Sequence, residues 1–141
     1  MNDESKVRSM PRAYVYFHIS GEYLPLDQIT REMGMEPTEQ WSKGDRGKYV
    51  NERHKSGWSL RGPLDESNTV LRDHIEAFLP ILETRIEAVK RFSENFDTYL
   101  VSVGYYDETA SPGLSLSRSM VSRIAALGLA LDADLYFAKD K

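Results

Sequence analysis

The chain has 141 residues, 40% of them hydrophobic and 28% charged, and carries a formal net charge of −4. That length suits one core able to bury roughly two-thirds of the unfolded surface. The absence of cysteine excludes disulfides, thiolate nucleophiles and cysteine-ligated zinc or iron–sulfur centres. The acidic balance argues against generic binding to nucleic acid or anionic membranes, which needs a concentrated basic surface.

Met1 to Pro11 reads as a disordered polar leader with no apolar run resembling a signal peptide, and residues 12–138 read as a single α+β domain. No later stretch is long enough in apolar residues to span a bilayer, so a cytoplasmic protein is expected. Ala13 to Ile19 is β-branched and aromatic, with Ala13, Val15, Phe17 and Ile19 on one face and Tyr14, Tyr16 and His18 on the other, which predicts a strand with one core face. Gly21 ends it. Pro25 stands where a first helical turn starts, Leu26, Ile29 and Met33 follow at helical spacing, and Gly34 is placed for a left-handed stop. Met35 to Trp41 looks extended, and Ser42 to Ser56 has the charge and the glycines of a loop. Gly57 to Gly62 suits a short strand paired with the extended piece before it.

Leu71, Ile75, Phe78, Leu82, Ile86, Val89 and Phe92 recur at intervals of three and four, which predicts one long amphipathic helix kinked at Pro80. Tyr99 to Tyr105 returns to strand periodicity, with Tyr99, Val101, Val103 and Tyr105 on one face. Ser117 is a plausible N-cap for a helix that buries Met120, Val121, Ile124, Ala125 and Leu127 and stops at Gly128. Leu129 to Phe137 alternates clearly and predicts a last strand with one wet face. Two segments, Val15 to Trp41 and Tyr99 to Phe137, share a strand–helix–strand plan. The expected fold is an α+β sandwich: a mixed or antiparallel sheet of about five strands, with the long kinked helix and two short helices packed on one face.

The segment from Trp41 to Trp58 holds both tryptophans, and between them five basic side chains (Lys43, Arg46, Lys48, Arg53, Lys55) stand against two acidic ones (Asp45, Glu52). One reading makes Trp41, Lys43, Asp45, Arg53 and Trp58 a site for a small anionic or nucleotide-like ligand, since guanidinium forks suit phosphate or carboxylate and indoles suit flat rings. The plainer reading pairs the indoles across two strands as core, beside a solvated loop. Gly44 to Lys48 is not a phosphate loop, because two residues instead of four separate the glycines and Tyr49 follows the lysine. His18, His54 and His74 lack metal-ligand spacing. His18 shares a strand face with Tyr14 and Tyr16, either a recognition surface or an ordinary half-wet sheet face. Asp132 and Asp134 share a strand face and Asp107 and Glu108 open a turn, positions where acids are commonly solvated or guard a sheet edge. No serine stands in the Gly-x-Ser-x-Gly pattern of many hydrolases. Tyr14, Tyr16, Tyr23, Tyr106 and Tyr136 are candidates for an exposed aromatic surface.

These residues carry a resemblance. Phe17-x-Ile19-Ser20-Gly21, Met33-Gly34-Met35-x-Pro37-Thr38, Trp41-x-Lys43-Gly44-Asp45, Trp58-Ser59-Leu60, Ser111 to Leu116, and Leu127-Gly128-Leu129-x-Leu131-Asp132 together resemble a bacterial family known only as domain of unknown function 4279. The likeness runs from Val15 to Tyr136 and implies a small stand-alone bacterial protein, with no activity, cofactor or catalytic residue to carry over. Function therefore rests on the residues. The leading expectation is a non-catalytic protein-binding module, immunity-type or regulatory, whose partner is another protein or a second copy in a homodimer. The alternative is a binding site or weak enzyme for the anionic ligand at the Trp41/Trp58 segment. Nucleic acid is a weaker third choice through the same basic, aromatic loop. Neither a cofactor nor a metal is called for, and no catalytic residue stands out.

Overall fold

The computed structural model describes residues 10–48 and 51–138, so most of the polar leader expected at residues 1–11 lies outside the described residues. The elements in chain order are β1 (Arg12–Gly21), α1 (Leu26–Met33), β2 (Glu39–Trp41), β3 (Ser56–Arg61), α2 (Leu71–Glu83), α3 (Ile86–Asn95), β4 (Asp97–Asp107), α4 (Arg118–Ala126) and β5 (Ala130–Ala138). The strands form one five-stranded sheet in the order β2-β3-β1-β4-β5. β3 is antiparallel to both β2 and β1, and β1 is antiparallel to β4. β4 and β5 run parallel. The sheet is therefore mixed, and each strand–helix–strand segment read from the sequence supplies a parallel pair of strands. In the first, β3 lies between the two; in the second, they are neighbours.

The central strand β1 sets the layers. Ala13, Val15, Phe17 and Ile19 are fully buried, whereas Tyr14, Tyr16 and His18 on the alternate face are half-buried. All four helices bring apolar side chains to the first set: Ile29 and Met33, then Ile75, Phe78, Leu79 and Leu82, then Val89 and Phe92, then Met120 and Ile124. Helices thus cover one face of the sheet and leave the other open. Trp58 belongs to the covered face. It is fully buried, its ring meets Phe17 edge-on at 6.1 Å between centroids, and its indole N–H donates to Thr30 Oγ1 at 3.0 Å, so the one polar atom of the largest core side chain is satisfied.

Local signals account for several boundaries. Gly34 takes a left-handed φ of 66° and its N–H returns to the Thr30 and Arg31 carbonyls, ending α1. The Ser117 hydroxyl accepts from the Met120 N–H at 3.1 Å, capping α4. The expected long kinked helix is instead two helices, with Pro80 inside α2 and the break at Thr84 and Arg85. Pro80 is exposed, so water can satisfy the Glu76 carbonyl it leaves unpaired. At the break the Thr84 N–H is shared between the Pro80 and Ile81 carbonyls, and the Thr84 hydroxyl takes Ile81 O at 2.6 Å. Arg85 then leaves helical geometry at φ −125°, ψ 34°, and its carbonyl starts the next helix by accepting from Val89 N. The apolar stripe crosses a two-residue break without losing phase, which is why spacing alone predicts one helix. Tyr106, expected at the surface, is buried on the covered side with its hydroxyl donating to the Thr69 carbonyl at 2.9 Å.

Removing the indole of Trp58 empties a large core volume and strands Thr30. Trp58→Ala is expected to cost about 3–5 kcal/mol in urea denaturation followed by circular dichroism, and Trp41→Ala clearly less.

Candidate functional site

The open face is built by the residues of β1, β3, β4 and β5 that alternate with the core set. Register places His18 between Ser59 and Tyr99, Tyr16 between Arg61 and Val101, and Tyr14 beside Val103. Asp132 pairs with Val101, Asp134 with Val103 and Tyr136 with Tyr105. One row across the sheet therefore runs cation, phenol, aliphatic, acid: Arg61, Tyr16, Val101, Asp132.

The aromatic rings form a continuous tract. Tyr14 stacks on Tyr16 at 6.2 Å, Tyr16 meets His18 edge-on at 6.2 Å, and His18 lies 5.7 Å from Trp41 and 6.4 Å from Tyr99. Tyr105 and Tyr136 stack at 5.0 Å. Guanidinium groups lie over three of these rings: Arg12 over Tyr105 at 4.0 Å, Arg53 over Trp41 at 3.9 Å and Arg61 over Tyr14 at 3.7 Å. Val101 and Val103, though on the open side, are buried beneath this tract. Tyr14, Tyr16, His18, Thr38, Glu39, Trp41, Ser59 and Arg61 line a shallow cleft of about 310 Å³ at the β2–β3 end.

Trp41 reaches the tract because Gly57 lies beneath it. A Cβ on Gly57 would stand 2.3 Å from the indole and 3.0 Å from His18, so only glycine admits the ring flat on the strand. The indole N–H donates to the Lys55 carbonyl at 3.0 Å, fixing the ring from the other side. The loop between β2 and β3 is braced by Asp45, whose carboxylate accepts from Ser42 N at 2.8 Å and whose carbonyl accepts from Arg53 N at 2.7 Å. That brace returns Arg53 over Trp41.

The five residues grouped by the sequence therefore divide. Trp41 and Arg53 meet on the open face, and Asp45 holds the loop that brings them together. Lys43 pairs instead with Glu22 and lies 5.2 Å from the Tyr23 ring, away from the cleft. Trp58 faces the opposite side of the sheet, because it is one residue out of phase with Gly57 and Ser59 on a strand whose side chains alternate. Arg12, Arg61, Tyr99, Tyr105 and Ser59 join Tyr14, Tyr16 and His18 without having been grouped with them. The phase of each strand was readable; the pairing of β1 with β3 and β4, which makes them neighbours, was not.

Burial lowers the affinity of His18 for a proton, and the cation of Arg53 lowers it further. The ring is therefore neutral at pH 7, with Nδ1 2.7 Å from Ser59 Oγ. Burial also raises the Tyr16 phenol to about 12, helped by neighbouring Tyr14 and by Asp134; Tyr14 is raised for the same first reason. The hydroxyl and imidazole of Ser59 and His18 form a pair, but Ser59 is buried within a strand paired on both sides, so its backbone offers no free N–H to a developing oxyanion. The arrangement is suited to contact: rigid rings, stacked cations and an acidic margin.

A model for the family described as Domain of unknown function (DUF4279) matches residues 11–138. No curated protein and no solved structure matches the chain.

His18 binds a proton less readily folded than unfolded, so its contribution to stability is present above the ordinary value of 6.5 and lost as pH falls through the lowered folded value. Thermal melts from about pH 7.5 to about pH 5 should show a steeper fall in Tm for the wild type than for His18→Gln, and parallel curves would remove this assignment.

Proposed function

The chain belongs to the DUF4279 family, and we propose that this member is a non-catalytic protein-binding module whose partner docks on the open face of the sheet. The observation that carries the reading is the tract from Trp41 through His18, Tyr16 and Tyr14, with Arg53 and Arg61 stacked on it. Tryptophan, tyrosine and arginine are the residues that most often dominate binding energy at protein interfaces, because they offer large areas at low conformational cost. Stacking holds these guanidiniums in place before any partner arrives, so little side-chain entropy remains to be lost. Arg53 and Arg61 stand at the β2–β3 end, where Glu39 also lines the cleft, and Asp132 and Asp134 stand on β5, with Arg12 over the neighbouring Tyr105. A complementary partner presents acid at the first end, base at the second and an apolar body between them. Immunity-type and regulatory proteins act in this way, by occupying a partner's surface without chemistry of their own.

The cleft of about 310 Å³ favours a second reading, a flat anionic small molecule held between Trp41, His18 and Arg61. It differs from the first in size of footprint. A ligand confined to the cleft would change Trp41 fluorescence and leave Tyr105 and Tyr136, which lie outside it, indifferent to substitution.

Photo-crosslinking tests the protein-binding reading. Benzoylphenylalanine in place of Tyr14 or Tyr16 is expected to give adducts with the same protein, whereas the probe at exposed Glu76 on α2 gives none. Arg61→Glu should weaken that partner by about 2 kcal/mol or more, roughly 30-fold in Kd. Absence of adducts from the open face, or equal adducts from Glu76, removes the proposal.

A further inference from the structure

The two ends of the sheet differ. β2 spans three residues next to Pro37, too short an edge to template another strand. β5 spans nine residues, Ala130–Ala138, pairs among the described residues with β4 on one side only and is solvent-exposed along most of its length. Leu131 is 37% exposed, Tyr136 50% and Phe137 45%. Charged side chains, proline, a bulge and brevity protect an exposed edge; the nine residues ALDADLYFA contain neither proline nor lysine, and their two acids restrict which strands can pair there without barring all of them. Asp132 and Asp134 are the only charges, and both lie on the open face.

We propose that β5 is a homodimerisation edge: two copies pair antiparallel, β5 against β5, centred on Leu135, so that the two five-stranded sheets become one. The register follows from the acids. A twofold axis perpendicular to the sheet keeps the open faces on one side, so each residue meets one of equal phase on the other copy. Centring on Ala133 sets Asp132 against Asp134 of the second copy, and centring on Asp134 sets that residue against itself; both oppose like charges at close range. Centring on Leu135 is the longest pairing that avoids this. It sets Leu135 against Leu135 and Ala133 against Phe137 on the covered side, and Asp134 against Tyr136 on the open side. Large meets small and apolar meets apolar, and the edge hydrogen-bonding groups of both strands find partners. A foreign strand would need bases opposite Asp132 and Asp134; a second copy needs nothing beyond the sequence present. The open face stays uncovered on both copies although Asp134 and Tyr136 belong to it as well as to the edge, and because self-association of the chain alone is read without any other protein, this inference stands or falls independently of the proposed partner site.

Sedimentation equilibrium tests it, with circular dichroism confirming the fold of each variant. The wild type is expected at twice the protomer mass. Tyr136→Asp opposes an acid to Asp134 of the second copy, twice per dimer, and should raise the dissociation constant tenfold or more. Adding Asp134→Lys to that variant converts the clash into an ion pair and should restore the dimer. A wild-type monomer at about 100 μM, a dimer unmoved by Tyr136→Asp, or a double variant that remains monomeric overturns the proposal.

Discussion

Ala13, Val15, Phe17 and Ile19 must leave water together, and the helices that remove them all arrive from one side. Because side chains alternate along an extended chain, this obligation sends Tyr14, Tyr16 and His18 the other way. β1 sits at the centre of the sheet, so its phase is passed through hydrogen-bonded register to β3 and β4 and then to β2 and β5. The aromatic face is the geometrical complement of the core. A shift of one residue in β1 would put Phe17 in solvent and two phenols beneath the helices.

The open face resolves its own partial exposure by stacking. Large rings on neighbouring strands cover Val101 and Val103, and guanidiniums cover the rings, so the apolar area presented to water is smaller than the residue types suggest. The same layering keeps Tyr16 protonated far into the alkaline range and His18 neutral at physiological pH. The surface is thus polar at its outermost atoms and apolar just below.

Much of the fold was legible. Strand phases in β1 and β4 followed from alternation, the stop at Gly34 and the cap at Ser117 from local chemistry, and the α+β class from the succession of elements, whereas β5, expected to have one wet face, is exposed on both because it lies at the sheet edge. The break at Thr84 and Arg85 was not, because two non-helical residues leave the spacing of Leu82, Ile86 and Val89 intact. The site was half legible for a related reason. Trp41 and Trp58 are close in sequence and both aromatic, yet whether they share a face depends on the register between β2 and β3, where Trp41 pairs with Gly57. Arg12 and Arg61 carry no local mark at all; they are drawn to Tyr105 and Tyr14 by pairings between distant strands.

The antiparallel ladder between β1 and β4 joins segments far apart in the chain: Arg12 pairs with Tyr105 and Ser20 with Asp97. No hairpin can nucleate it, since β2, β3 and three helices intervene. Closure of so long a loop carries its entropy cost before any contact repays it. The helices α2 and α3 have local contacts to form early, whereas the central ladder must await their collapse. Until that ladder closes, β1 with its tyrosines and phenylalanine lacks its β4 partner, and an unpaired apolar strand is prone to mispairing with other chains.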